Sequence, residues 1–515
     1  MTDRLRDALM LGEFVVTCEA IPGRGAREEH PTKEFEELLA IWETGRVHAI
    51  SVTDNPGGNP ALLADSLAGD LIRKGITPLV HVSCKDRNRN QLQSQFYALE
   101  RQGIQNVLTM TGDYPTSGWE GRSRPVFDLD SVQILKLFKD MNTGLQYQTP
   151  RGVASDQPCH FFCGAVVSPF KWTEAESITQ YSKLKKKIVS GADFIISQVG
   201  YDARKMQELL FFLEENDLRI PAIANIYLVS LGAARLMKQG SIPGCFMSDE
   251  LLTVLEQEAL GADKGLAARY LRAAKMVAVA RGLGYAGVHF GGMGLTARSV
   301  AQILDMADEL QEQWRTWALE LQYGATGGWY YYQPELDESG LPTGLNTRVH
   351  SARDEVNHSC VLYKGYGLSR FFHRVVLTKD RVFYGSLKKS MARRDRKRGI
   401  FRRHGFEHMS KVVLYGCMDC GDCGLEATAY TCPMTKCPKC QRNGPCGGSA
   451  DGWCEVYPLE RYCIYYKAYH RLKKKGELEK LEAFITPPNN WDYYETSSWS
   501  NYTHERDNAA RREYL

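Results

Sequence analysis

Eight short β-branched runs, each followed by a stretch with helical periodicity, fill residues 14–292 and leave few folds open to this chain. The runs are FVVTCEA (14–20), AISVT (49–53), TPLVHVSC (77–84), NVLTMTGD (106–113), FFCGAVV (161–167), FIISQVGY (194–201), IPAIANIYLV (220–229) and GVHFGG (287–292). Between them lie amphipathic patterns such as FEELLAIWETG, SQFYALERQG and ITQYSKLKKKIVSGA. Eight strand–helix units over this length are the arithmetic of a (β/α)8 TIM barrel. A doubly wound parallel sheet uses the same units and is the alternative, weakened because no G-x-G-x-x-G follows the first run. A barrel over 1–320, a linker and small α+β segment over 321–405, and a cysteine-rich metal-binding domain over 406–515 are the expected organisation of this α/β chain.

A chain of 515 residues exceeds what one ordinary core organises, which fits that division. Its 43% hydrophobic and 24% charged residues describe a globular protein, and a net charge of +3 points to no particular partner. No apolar run reaches the length of a membrane span. The N-terminus MTDRLRDALMLGEFVV lacks the apolar core of a secretion signal, so a cytoplasmic protein is expected. In that reducing compartment clustered cysteines read as metal ligands rather than disulfides. Six scattered cysteines (Cys18, Cys84, Cys159, Cys163, Cys245 and Cys360) read as buried packing.

The other nine cysteines fall between Cys417 and Cys463. Cys417-x2-Cys420-x2-Cys423, followed by Cys432-Pro433, resembles the ferredoxin run that holds an iron–sulfur cluster. Three thiolates at this spacing surround one small inorganic core, and Gly416, Gly421 and Gly424 let the backbone approach it. Cys417, Cys420, Cys423 and Cys432 are therefore the candidate ligands of one [4Fe–4S] cluster. Cys437, Cys440, Cys446 and Cys454 are candidates for a second site, which takes a second cluster or tetrahedral zinc, since four thiolates satisfy either. Cys463 is left over, and Cys432 can be exchanged between sites. The competing reading is a purely structural zinc clamp, although zinc ribbons usually pair two C-x2-C knuckles.

Barrel enzymes keep their chemistry at the C-terminal strand ends. Those positions hold Glu19, Thr53-Asp54-Asn55, His81, Gly112-Asp113, Ser168, Gln198 and His289. Glu19 and Asp113 can face one pocket, where burial raises a carboxyl's pKa toward general-acid work. The competing reading is that either caps a helix or pairs with an arginine.

These residues carry a resemblance. Cys18-Glu19-Ala20, Ser51-Val52-Thr53, Thr111-Gly112-Asp113-Tyr114-Pro115, Gly164-Ala165 with Ser168-Pro169, Lys187 before Ser190-Gly191-Ala192-Asp193, and Ile196-Ser197-Gln198 occur in order, and together they resemble the methylenetetrahydrofolate reductase family. The resemblance implies a flavin at the barrel mouth with the tetrahydrofolate substrate stacked on it. It implies Glu19 as the general acid that helps open the imidazolidine ring and Asp113 as the carboxylate near the flavin. Gln198 would bind the pterin, while Thr53, His81, Thr111, Gly112, Ala165 and Lys187 would line the cofactor. His81 taken alone reads as a satisfied core histidine. Where the better-known bacterial branch has Arg before Gly-Asp this chain has Thr111, and Gln180 and Lys183 replace its adenosine contacts, so FAD and FMN both stay open.

The segment Asn443-Gly444-Pro445-Cys446-Gly447-Gly448, continuing to Gly452-Trp453-Cys454-Glu455-Val456, resembles the cysteine-rich C-terminal domain found with this reductase family in C1-metabolising anaerobes. That implies electron exchange with a redox partner protein, either ferredoxin-like or a flavin/iron–sulfur oxidoreductase subunit, and an oligomer or complex. Competing functions are an NAD(P)H-dependent reductase with a structural zinc tail and a non-catalytic folate-binding or electron-transfer adaptor. The Gly/Tyr/Pro-rich stretch from Tyr323 to Thr347 reads as a linker, and RVVLT (374–378) and RVFYG (381–385) read as two short strands. The basic run at 388–405 lacks the aromatic interleaving of a nucleic-acid surface and reads as a solvated helix face or docking patch. The tail from Phe484 shows no periodicity and is expected to drape over a surface.

Overall fold

The computed structural model describes residues 3–26, 29–292, 294–332, 336–341, 343, 365–379, 381–398 and 405–515. Eight parallel strands close into a barrel: β1 (Val15–Ala20), β2 (Ala49–Val52), β3 (Pro78–Ser83), β4 (Asn106–Met110), β5 (Phe162–Val167), β6 (Phe194–Ser197), β7 (Ala222–Tyr227) and β8 (Gly287–Gly291). β8 pairs with β1 to close the ring, with Thr17 opposite His289, and Glu19 lies opposite Ser51 of β2. All eight expected runs are barrel strands. Three of them read too long by three or four residues: Thr111–Asp113 and Gln198–Tyr201 are the loops that leave β4 and β6, and the run 220–229 overshoots β7 at both ends.

The strand period of two sorts the side chains into an inside and an outside. Val15, Ala49, Leu79, Leu108, Phe162, Phe194 and Ile223 face inward and pack with Leu5, Ala8 and Leu9 of the helix Arg4–Leu11, which plugs the N-terminal end. Val16, Cys18, Val80, Val82, Cys163 and Ala165 face outward into the core beneath the surrounding helices. Midway up the interior sit two buried histidines, each satisfied by a hydroxyl. His81 Nε2 lies 2.7 Å from Ser51 Oγ, and His289 Nδ1 lies 2.8 Å from Thr17 Oγ1. The top layer, at the C-terminal end, is where Glu19 emerges.

Several expectations need correction beyond the barrel. The two short strands do not form: His373–Leu377 is a π-helical turn and Val382–Arg398 an α-helix. A run of five apolar or long-chain residues has no periodicity that separates strand from helix, and the helix carries the start of the basic run. The part of that run at 399–404, like Cys360, lies outside the described residues. The first part of the expected linker, residues 323–332, is a packed strap rather than a free connection. Trp329, Tyr331 and Tyr332 are buried, Tyr330 Oη donates to Asp202 at 2.9 Å, and the Tyr331 N–H donates to Glu208. No helix among the described residues is long and apolar enough to cross a membrane.

The cysteine-rich region sits against the barrel and is held there by the tail. Asp422, fully buried between Cys420 and Cys423, accepts N–H bonds from Asn490 at 3.0 Å and Asn508 at 2.6 Å. Arg511 reaches the same carboxylate at 3.1 Å. From the tail, the Thr486 carbonyl receives Gln133 and Asn443, which belong to the barrel and the cysteine-rich region respectively.

Candidate functional site

Glu19 leaves β1 at the barrel's C-terminal mouth with its Oε2 accepting the Gly292 N–H at 3.2 Å. Burial pushes its carboxyl above the ordinary carboxylate range, and that single N–H bond opposes the shift without cancelling it. Asn225 and Tyr227 of β7 lie beside it: a Cβ on Gly291 would stand 3.3 Å from Glu19 Oε2, 3.3 Å from Tyr227 and 3.6 Å from Asn225 Oδ1. The Asn225 Oδ1 is buried without a hydrogen-bond partner. A buried acceptor left open beside a protonatable acid marks a place where a ligand donates.

Asp113 sits across the mouth, on the loop after β4, and accepts the Gly57 N–H at 2.8 Å. Gly112 before it has φ +83°, and a Cβ there would meet Ser83 Cβ at 2.7 Å, so only glycine delivers Asp113 to this position. The two carboxylates share an environment. The Cys245 thiol is pushed up to about 12 by burial, with Lys171 opposing and Asp113 and Glu19 both adding to the shift. Asp54, the other strand-end acid, is structural. Burial works against its charge, but two Arg87 N–H groups at 2.9 and 3.1 Å and the Ser83 hydroxyl at 2.7 Å hold it below the usual range.

The remaining expected residues divide. Gln198 stands at the mouth, its side-chain oxygen accepting the Val199 N–H and its amide nitrogen 3.3 Å from the Cβ position of Gly244. Thr53 is buried at the end of β2 with its N–H bonded to Ala20. Lys187 reaches down from the helix Glu174–Val189 to the Val166 carbonyl; burial first, and Lys183 second, push its pKa down to about 7. Two others are not at the mouth. His81 is a satisfied interior histidine one layer below it, pushed down to about 4 by burial. The Ala165 side chain points outward into the helix-facing core, so only its backbone belongs to the strand end.

Sequence spacing missed the most consequential feature: a loop of the cysteine-rich region lies over the mouth. Thr111 Oγ1 donates to Gln441 Oε1 at 3.2 Å, and Lys183 Nζ donates to Gln441 Oε1 and the Pro445 carbonyl, both at 2.9 Å. Lys171 Nζ donates to the Ser449 carbonyl at 2.5 Å. Asp130 caps the helix Ser131–Thr143 with one carboxylate oxygen and with the other receives the Asn443 N–H at 3.0 Å. Beneath this loop Ser168 Oγ and Gln180 Nε2 are buried without hydrogen-bond partners, the latter 3.9 Å from the Cβ position of Gly447. The open acceptor and the two open hydroxyl and amide groups fit the polar edge of a heterocycle such as a flavin ring. Lys183 does not fit the role of a dinucleotide's phosphate contact, because main-chain and amide oxygens of the loop already occupy it.

The nine clustered cysteines form two groups in space. Cys417, Cys420, Cys423 and Cys432 line one cavity. Cys437, Cys446 and Cys454 line a second, and the fourth cysteine there is Cys463. Cys440 is in neither lining; it packs at the edge of the barrel core.

Two family models match this chain. A family model described as methylenetetrahydrofolate reductase matches residues 4–308, and one described as methylene-tetrahydrofolate reductase C terminal matches residues 401–492. Among solved structures, an uncharacterized protein from Clostridium thermocellum, described as binding two copies of 5-methyl-5,6,7,8-tetrahydrofolic acid, is 12% identical to this chain. That match covers 60% of this chain and 99% of the other, with a TM-score of 0.43. The first model spans the whole barrel, more than half of the 515 residues, and the second the cysteine-rich region that closes its mouth. This chain belongs to the methylenetetrahydrofolate reductase family, with that family's C-terminal domain fused to the barrel.

Proposed function

We propose that the chain interconverts 5,10-methylenetetrahydrofolate and 5-methyltetrahydrofolate at the barrel mouth, with electrons exchanged through the cysteine-rich region. The observation that carries this reading is the pair of carboxylates in one mouth, one of them kept protonatable by burial, beside open polar groups. A bound flavin supplies hydride exchange with the folate's one-carbon unit.

The chain's own residues do the rest. Glu19 holds a proton where a neutral acid is needed to assist opening of the five-membered ring. Asp113, fixed by the Gly57 N–H, places negative charge where the ring-opened folate develops positive charge. Gln198 presents an amide that donates and accepts toward the pterin edge. Asn225, Ser168 and Gln180 supply the further polar contacts that the empty hydrogen-bonding positions call for. The loop over Lys183 favours a mononucleotide, FMN, over FAD. Thiolate-held iron–sulfur centres would carry electrons between a redox partner protein and the mouth, and the direction of net reaction follows the partner's potential.

The test is anaerobic oxidation of 5-methyltetrahydrofolate with a viologen acceptor by the flavin-loaded chain. Turnover that disappears in Glu19→Gln, with flavin content unchanged, is expected. Undiminished turnover in that variant would remove the general-acid assignment, and none in the wild type with flavin and metal present would remove the folate reading.

A further inference from the structure

We infer that the second metal site is built by Cys437, Cys446, Cys454 and Cys463, and that Cys440 is not among its ligands. The four thiols come from two loops, one short strand and one helix start, and they line a single cavity, as the four thiols of the first group line theirs. Sequence spacing pairs Cys437 with Cys440, but the backbone at Cys440 turns through a left-handed conformation, φ +46°. Its thiol lies 4.0 Å from the Met434 carbonyl and outside the lining of the second cavity.

The ring is furnished as a thiolate site. The Gln441 N–H points at Cys437, the Val456 and Tyr457 N–H groups at Cys454, and the Tyr465 and Tyr466 N–H groups at Cys463. Cys463 is the N-cap residue of the helix Ile464–Lys473, where unpaired N–H groups and the helix dipole favour negative charge. The loops are pinned in register by a buried pair, Lys439 with Glu455, and the Glu455 carboxylate lies over Gly448 where no Cβ fits.

The second ring is also the one at the barrel. Cys446 is flanked by Pro445, whose carbonyl takes the Lys183 hydrogen bond, and by Gly447, whose carbonyl lies 3.2 Å from the Cβ position of Gly244. The ligand assignment does not depend on the folate reading; only its service to the mouth rests on it.

The experiment is iron, acid-labile sulfide and zinc analysis of the full-length chain purified without oxygen, with dithionite-reduced EPR, for wild type, Cys440→Ser, Cys454→Ser and Cys463→Ser. Wild type and Cys440→Ser are expected to carry about eight iron and eight sulfide per chain, the content of two [4Fe–4S] clusters. Cys454→Ser and Cys463→Ser are expected to fall to about four of each, with one EPR signal lost, as one such cluster leaves. Iron lost in Cys440→Ser, or retained in Cys463→Ser, overturns the ligand set. If the wild type carries one zinc beside four iron, the same ligand set is read from zinc that stays in Cys440→Ser and leaves in Cys454→Ser and Cys463→Ser, and the opposite pattern overturns it. Full metal content without folate turnover would defeat the folate reading and leave this one standing.

Discussion

Lys439 donates a 2.8 Å hydrogen bond to the carbonyl oxygen of Gly112, so the chain between two clustered cysteines is fastened to the strand end that carries Asp113. Both partners of its ion pair are buried, with Lys439 and Glu455 side chains 4% and 5% exposed. The cysteine-rich region and the barrel site therefore share a wall, and this side chain is one of its ties.

Removing one member of that pair strands a buried charge. Lys439→Met is expected to destabilise the fold by about 3 kcal/mol. Lys439→Met/Glu455→Gln is expected to recover more than half of that, because the stranded charge is gone. Urea unfolding of both variants and the Glu455→Gln single variant measures the coupling; simple additivity would show that the pair does not act as a unit.

The general-acid role proposed for Glu19 sets an expected pH profile. Its raised folded-state pKa means that the folded chain keeps a proton the unfolded chain releases, so its contribution to stability falls as pH rises from the ordinary carboxylate value through the raised one. A step that needs the protonated acid weakens over the same direction. Glu19→Gln is expected to cost about 10²–10⁴-fold in turnover and to flatten the alkaline limb. A rate profile that keeps its limb in the variant would assign it to another group.

Gly112→Ala places a side chain at φ +83° against Ser83. The strain is expected to cost about 1–3 kcal/mol. It also moves the Asp113 loop, so turnover is expected to fall while metal content stays unchanged. Thermal unfolding and iron analysis on the same preparation check both parts.

The two interior histidines resist protonation. Burial holds His81 at about 4 and His289 at about 3, whereas the unfolded chain takes up protons near the ordinary histidine value of 6.5. With pKa values depressed in the folded state, stability is full above pH 6.5 and falls as pH drops below it. Each histidine adds about 1.4 kcal/mol per pH unit of steepness. Urea midpoints between pH 7.5 and 5 are expected to decline less in His81→Gln/His289→Gln than in the wild type.

Much of the barrel was legible before folding because a strand's period of two and a helix's period of 3.6 are local properties. Glu19, Asp113 and Gln198 were found by asking which residues end each strand. His81 and Ala165 were less well placed: a strand ladder fixes which side a residue faces, but the depth of its layer and the side that becomes the interior appear only on closure. RVVLT and RVFYG misled because short apolar runs serve either helix or strand until packing chooses.

The sequence by itself determined the eight-unit barrel, the carboxylates at its mouth and the presence of two cysteine groups, since each follows from periodicity or from spacing along the chain. Tertiary structure alone decided that Cys463 rather than Cys440 joins the second ring, that Lys183 and Thr111 meet Gln441, and that Lys439 reaches Gly112. The hydrogen-bonded partners stand 258 to 330 residues apart, and separations of that kind are closed by packing of whole elements, on which local spacing places no constraint.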